Sequence, residues 1–112
     1  MRCERLDVWR RSTRLSCKIY RHLASCRDYA FRDQITRSGL SVPSNIAEGM
    51  ERESPKDRRR FLEIARGSAA ELITQILIGI EVNYIDSAKG REWKEEVRQL
   101  MAMLNSLMSR LR

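Results

Sequence analysis

Proline and glycine are both scarce in this chain, with two and five among 112 residues. An all-β domain of that length needs a turn every roughly 8–12 residues and more punctuation than this. The composition therefore leans all-helical. There is one histidine, His22, and three cysteines, Cys3, Cys17 and Cys26, with no CxxC pair among them. A structural zinc site takes four clustered ligands, so the ligand inventory excludes one, and no metal or cofactor is implied. An odd count of unpaired cysteines fits reduced thiols, with Cys17 expected to pack as a small apolar residue. Nor does any apolar run approach the about 18–20 residues of a membrane-spanning helix. The opening MRCERLDVWRR alternates charges where a secretory signal would place its apolar stretch. Both features point to the cytoplasm and away from a membrane.

What the chain does have is apolar material at 42%, charge at 33%, and an excess of cations that leaves it at +7. This length suits one compact domain over residues 1–112, burying roughly two-thirds of the extended chain's surface. The cations are unevenly placed. Residues 1–37 hold ten of them (Arg2, Arg5, Arg10, Arg11, Arg14, Lys18, Arg21, Arg27, Arg32 and Arg37) against four acids. Such a balance favours a polyanionic partner.

Helical period governs most of the sequence. From Leu6 to Leu23, residues Trp9, Leu15, Ile19, Tyr20 and Leu23 share one arc, with Ser12 and Ser16 inside it to permit close helix contact. Arg10, Arg11, Arg14, Lys18 and Arg21 lie opposite. After the polar stretch 25–28, a second helix is expected over about Tyr29–Met50. It contains Pro43, whose ring crowds the carbonyl of Gly39, so a bent helix is expected in preference to two short ones. Ser54-Pro55-Lys56-Asp57 then reads as a start signal, with a hydroxyl cap, a proline at the first position and an acid in the first turn.

The third helix should run to about Tyr84. Leu72, Ile73, Ile76, Leu77 and Ile80 line one face, while Ile78 and Val82 project from the other. A helix apolar on two sides must bury both, so Ile78 and Val82 are read as a subunit interface. Asp86 or Ser87 can cap a fourth helix, where Trp93, Val97, Leu100, Leu104, Leu107 and Leu111 recur at spacings of 4, 3, 4, 3 and 4. Met101, Met103 and Met108 flank this heptad seam. The fold predicted is all-α, an antiparallel up-down four-helix bundle with a proline-bent second helix.

No catalytic constellation accompanies it. No serine or cysteine has a base partner by spacing, and the isolated glycines form no phosphate loop. The pair Glu95-Glu96 reads as a solvated face. The basic residues are the better lead: Arg10, Arg11, Arg14, Lys18 and Arg21 on the first helix, and Lys56, Arg58, Arg59 and Arg60 opening the third. Clustered cations on a rigid helix suit phosphate groups, because each neutralised phosphate releases counterions. Neither cluster carries an aromatic in a base-stacking register.

The segment Ser41–Gly49 departs from a generic bundle, placing small and polar residues where an apolar stripe belongs. The run QITRSGLSVPSNIAEG, followed by RRFLEIARGSAAELITQ and preceded by LDVWRRS, resembles the family of 23S rRNA intervening-sequence proteins from Leu6 to about Leu111. The resemblance implies small bacterial helical bundles without enzymatic activity, assembled as homopentameric barrels with a positive exterior. Related proteins serve as accessory factors for the reverse transcriptases of diversity-generating retroelements. Pro43 lies within the motif, and Asn45, Glu48, Gly49, Glu71 and Gln75 match its residues and are expected to form a structural polar network at helix contacts. Met50 stands where that pattern would have an aromatic. Two functions follow as expectations: an oligomer that binds RNA or DNA through phosphate contacts, or a protein–protein adaptor such as a partner of a reverse transcriptase.

Overall fold

Local capping chemistry sets where three of the four helices begin. In the computed structural model, which describes residues 6–111, α1 spans Asp7–His22, α2 Tyr29–Met50, α3 Pro55–Glu81 and α4 Ser87–Ser109. The α2 cap is Asp28, whose carboxylate accepts the Phe31 N–H at 3.1 Å. Ser54 does the same for Asp57 with Pro55 in the first turn of α3, and Asp86 for Lys89 at the start of α4. Helix α1 has no side-chain cap, but it carries Asp7 in its first turn and Arg21 and His22 in its last, matching the helix dipole.

Helix α2 continues through Pro43 as one element, which excludes the reading as two short helices. Helix α3 ends at Glu81, three residues before the expected Tyr84. Asn83 adopts a left-handed φ of 66°, and the Tyr84 and Ile85 N–H groups both donate back to the Gly79 carbonyl. Asparagine tolerates this conformation better than most residues, so it closes the helix and turns the chain into α4. Ile85 is thereby inserted into the core.

The helices pack in chain order around one core, with α2 and α3 most closely apposed and α1 and α4 least. Facing residues run in opposite senses along three of the four seams. Gly49 sits by Phe61 and Ser41 by Ser68 across α2 and α3. Arg66 meets Asn105 and Arg59 meets Met108 across α3 and α4, and Arg11 meets Glu96 while His22 meets Trp93 across α1 and α4. The result is an antiparallel bundle of 43 × 21 × 20 Å, with Ile19, Ile35, Ile46, Leu62, Leu72, Ile76, Leu100 and Leu104 at its centre.

Several side chains fall elsewhere than the periodicity places them. Tyr20 and Leu77 are exposed, at the margins of their apolar arcs. Cys17 is exposed too, one residue past the buried Ser16, so it is not a packed apolar residue. Cys3, Arg2 and Arg5 lie outside the described residues. On α4, Met108 replaces Leu107 as the buried residue of the last turn, because a straight helix drifts about 20° per heptad from a strict seven-residue repeat.

Candidate nucleic-acid interface

Spacings of three and four place the α1 cations on one side of the helix, but the structure divides them. Arg14, Lys18 and Arg21 are exposed and enter no ion pair among the described residues. Arg10, also exposed, is paired with Asp7 one turn back. Arg11 is committed elsewhere. Its Nε donates to Glu96 Oε2 at 2.9 Å and its Nη2 to Glu96 Oε1 at 2.5 Å, with Gln99 Oε1 and Met103 Sδ also in reach. Both side chains are about 30% exposed. This two-pronged clasp ties α1 to α4. The hydrogen bond from Arg11 pulls the Glu96 carboxyl below the ordinary carboxylate range, and the same contact holds the guanidinium protonated. Glu96 is therefore a structural partner, not part of a solvated face.

Around the clasp, α1 and α4 diverge enough to leave a groove of about 770 Å3. Arg14, Lys18 and Arg21 form its α1 wall, and Lys89, Glu92 and Glu95 its α4 wall. Leu15, His22 and Trp93 lie at its base, with the imidazole edge-on to the indole at 5.1 Å between ring centres. The indole N–H of Trp93 is enclosed and meets no acceptor among the described residues.

The cluster opening α3 is also divided. Arg58 Nε donates to the Arg52 carbonyl at 2.6 Å and closes the turn from α2. Arg59 Nη1 donates to the Met108 carbonyl at 3.0 Å, satisfying the carboxyl end of α4, while its Nε faces Glu63. Arg60 and Arg52 each lie over the Phe61 ring at 4.8 Å, a cation–π arrangement that the spacing of these residues does not reveal. Lys56 is exposed and makes no ion pair among the described residues.

The motif residues do not converge into one buried network. Pro43 and Gly49 are buried. A Cβ on Gly49 would sit 3.1 Å from Phe61 Cβ and 3.3 Å from the Arg58 carbonyl, so a larger residue fits there only if α3 gives way by a few tenths of an ångström. Asn45 donates to the carbonyl and hydroxyl of Ser41, and Ser41 shares a 2.8 Å hydrogen bond with Ser68 on α3. Glu48 is exposed and pairs with Arg52, and Glu71 is exposed without an ion-pair partner among the described residues. Gln75 is half-buried, and its enclosed Oε1 receives no hydrogen bond from them either. Ile78 and Val82 are 49% and 47% exposed, and Ile64 joins them on the outer side of α3 at 44%.

A four-helix bundle with a basic first helix is thus the class that fold and surface define. The family model described as 23S rRNA-intervening sequence protein matches residues 4–106, and the chain belongs to that family. A crystal structure of a Bacteroides thetaiotaomicron protein of unknown function, from the S23 ribosomal protein family, superimposes with a TM-score of 0.84 at 25% sequence identity. The match covers 90% of this chain and 97% of that one. No curated protein sequence matches. Among the described residues, no helix is long and apolar enough to cross a membrane.

Proposed function

We propose that this protein is a non-enzymatic, cytoplasmic homo-oligomer that binds the phosphate backbone of RNA or DNA through α1. One observation carries the reading. Arg14, Lys18 and Arg21 stand exposed along one rigid helix without ion-pair partners among the described residues, in a chain of net charge +7. Unpaired cations lose no internal contact on meeting phosphate, and each phosphate neutralised releases counterions. Assembly is supported by Ile64, Ile78 and Val82, apolar side chains left exposed on and just past α3. The five copies implied by the family resemblance are one solution.

The experiment is a binding titration with labelled RNA and DNA over a series of salt concentrations. Changing Arg14, Lys18 and Arg21 together to Ala should weaken binding to all sequences alike. The slope of log K against log salt should become shallower by about 2–3, the contribution of three phosphate contacts. Parental affinity and slope in the triple variant would leave α1 a solvated face.

A further inference from the structure

The groove between α1 and α4 has a feature that phosphate binding alone does not need. Its α4 wall carries Glu92 and Glu95, exposed and free of ion pairs among the described residues, facing the cations of α1. Of the groove's three acids, Glu96 is the one neutralised, by Arg11. A duplex offers this surface its phosphates alone, and the Glu92 and Glu95 carboxylates, beside Lys89 on the same wall, add nothing to its binding. A single strand offers more than phosphate. Within one nucleotide it presents an anionic group, a planar ring and a base edge, and that edge is unpaired. Cytosine shows an amino group there, which donates well to a carboxylate, whereas uracil shows a carbonyl oxygen that a carboxylate repels. At about 770 Å3 the groove falls within the roughly 300–1,000 Å3 of small-ligand sites, and its base is apolar at Leu15 and aromatic at His22.

We propose that this groove is a subsite for one nucleotide of single-stranded nucleic acid, with phosphate against Arg14, Lys18 and Arg21. The base edge lies toward Glu92 and Glu95, which favour cytosine over uracil. The proposal rests on the phosphate-binding reading of α1 and adds to it a direction of base preference.

The test uses labelled oligocytidylate and oligouridylate of equal length, whose backbone charge is identical. The full-length parent should bind oligocytidylate about tenfold more tightly, the scale of one good carboxylate–amino contact. Changing Glu92 and Glu95 together to Ala, at exposed helical positions where Ala is well tolerated, should bring that ratio to about one. The Arg14, Lys18 and Arg21 triple variant should lower both affinities by a similar factor. Equal binding of the two oligomers by the parent would overturn the subsite while leaving phosphate binding intact. The subsite also falls if the double variant raises both affinities by one factor, since the acids then only repel, or if it keeps the parental ratio. Binding of neither oligomer by the parent would remove the phosphate reading as well.

Discussion

Glu96 shows how much one side chain can carry in a bundle of this size. Its carboxylate lies between two helices, about 70% removed from solvent, and receives both prongs of the Arg11 guanidinium. Because the folded-state pKa is lowered, the pair stabilises the protein fully above the ordinary carboxylate range. The contribution fades as pH falls through and below that range. Glu96→Gln should therefore cost about 1 kcal/mol near neutral pH, and the difference from the parent should shrink progressively as pH is lowered through and below the ordinary carboxylate range. Denaturant melts of both proteins at several pH values measure this. A difference that stays constant across the acid range would mean that the charge of Glu96 is not what the clasp uses. Arg11, for its part, is occupied by structure and is not among the cations free for phosphate.

At the scale of the helices, the α2–α3 contact rests on the missing side chain at position 49. Gly49→Ala would press a methyl group against Phe61 Cβ and the Arg58 carbonyl, and the latter is backbone that cannot rotate aside. A loss of about 1–3 kcal/mol is expected in a denaturant melt, despite the better helix propensity of alanine. A neutral or stabilising result would show that α3 can retreat without penalty. This element also shows where sequence reasoning reaches. The extent of α2 and the Ser54 cap were legible, and the α4 cap was narrowed to Asp86 or Ser87, because capping and periodicity act over three or four residues. The Asn83 turn was carried by a single residue whose left-handed φ has no periodic signature. The division of the cations was not legible at all: Arg11 meets Glu96 across 85 residues, and Arg59 meets Met108 across 49. The exposure of Glu48 and Glu71 likewise depends on which flank of each helix its neighbours cover.

Over the whole molecule, the free cations sit on α1 and the exposed Ile78 and Val82 at the end of α3, helices that share no seam, so one surface can be used without blocking the other. Ile78 and Val82 test assembly. At micromolar concentration the parent should scatter light as a multiple of its 13.2 kDa. Ile78→Glu combined with Val82→Glu should reduce it to one copy with an unchanged circular dichroism spectrum, since both positions are exposed in the single chain. A parent that is already monomeric would dismiss the interface.

The uneven packing of the four seams has a kinetic consequence. Helices α2 and α3 are joined by a turn of four residues, 51–54, so their pairing closes a short loop. The α1–α4 seam links segments 85 residues apart and is the most sparsely packed, so its loop is the most costly to close and its contacts return least. A transition state built on the α2–α3 hairpin, with the clasp formed afterwards, is the order that topology favours. The same two substitutions would then separate on a chevron plot, with Gly49→Ala acting on the folding limb and Glu96→Gln on the unfolding limb.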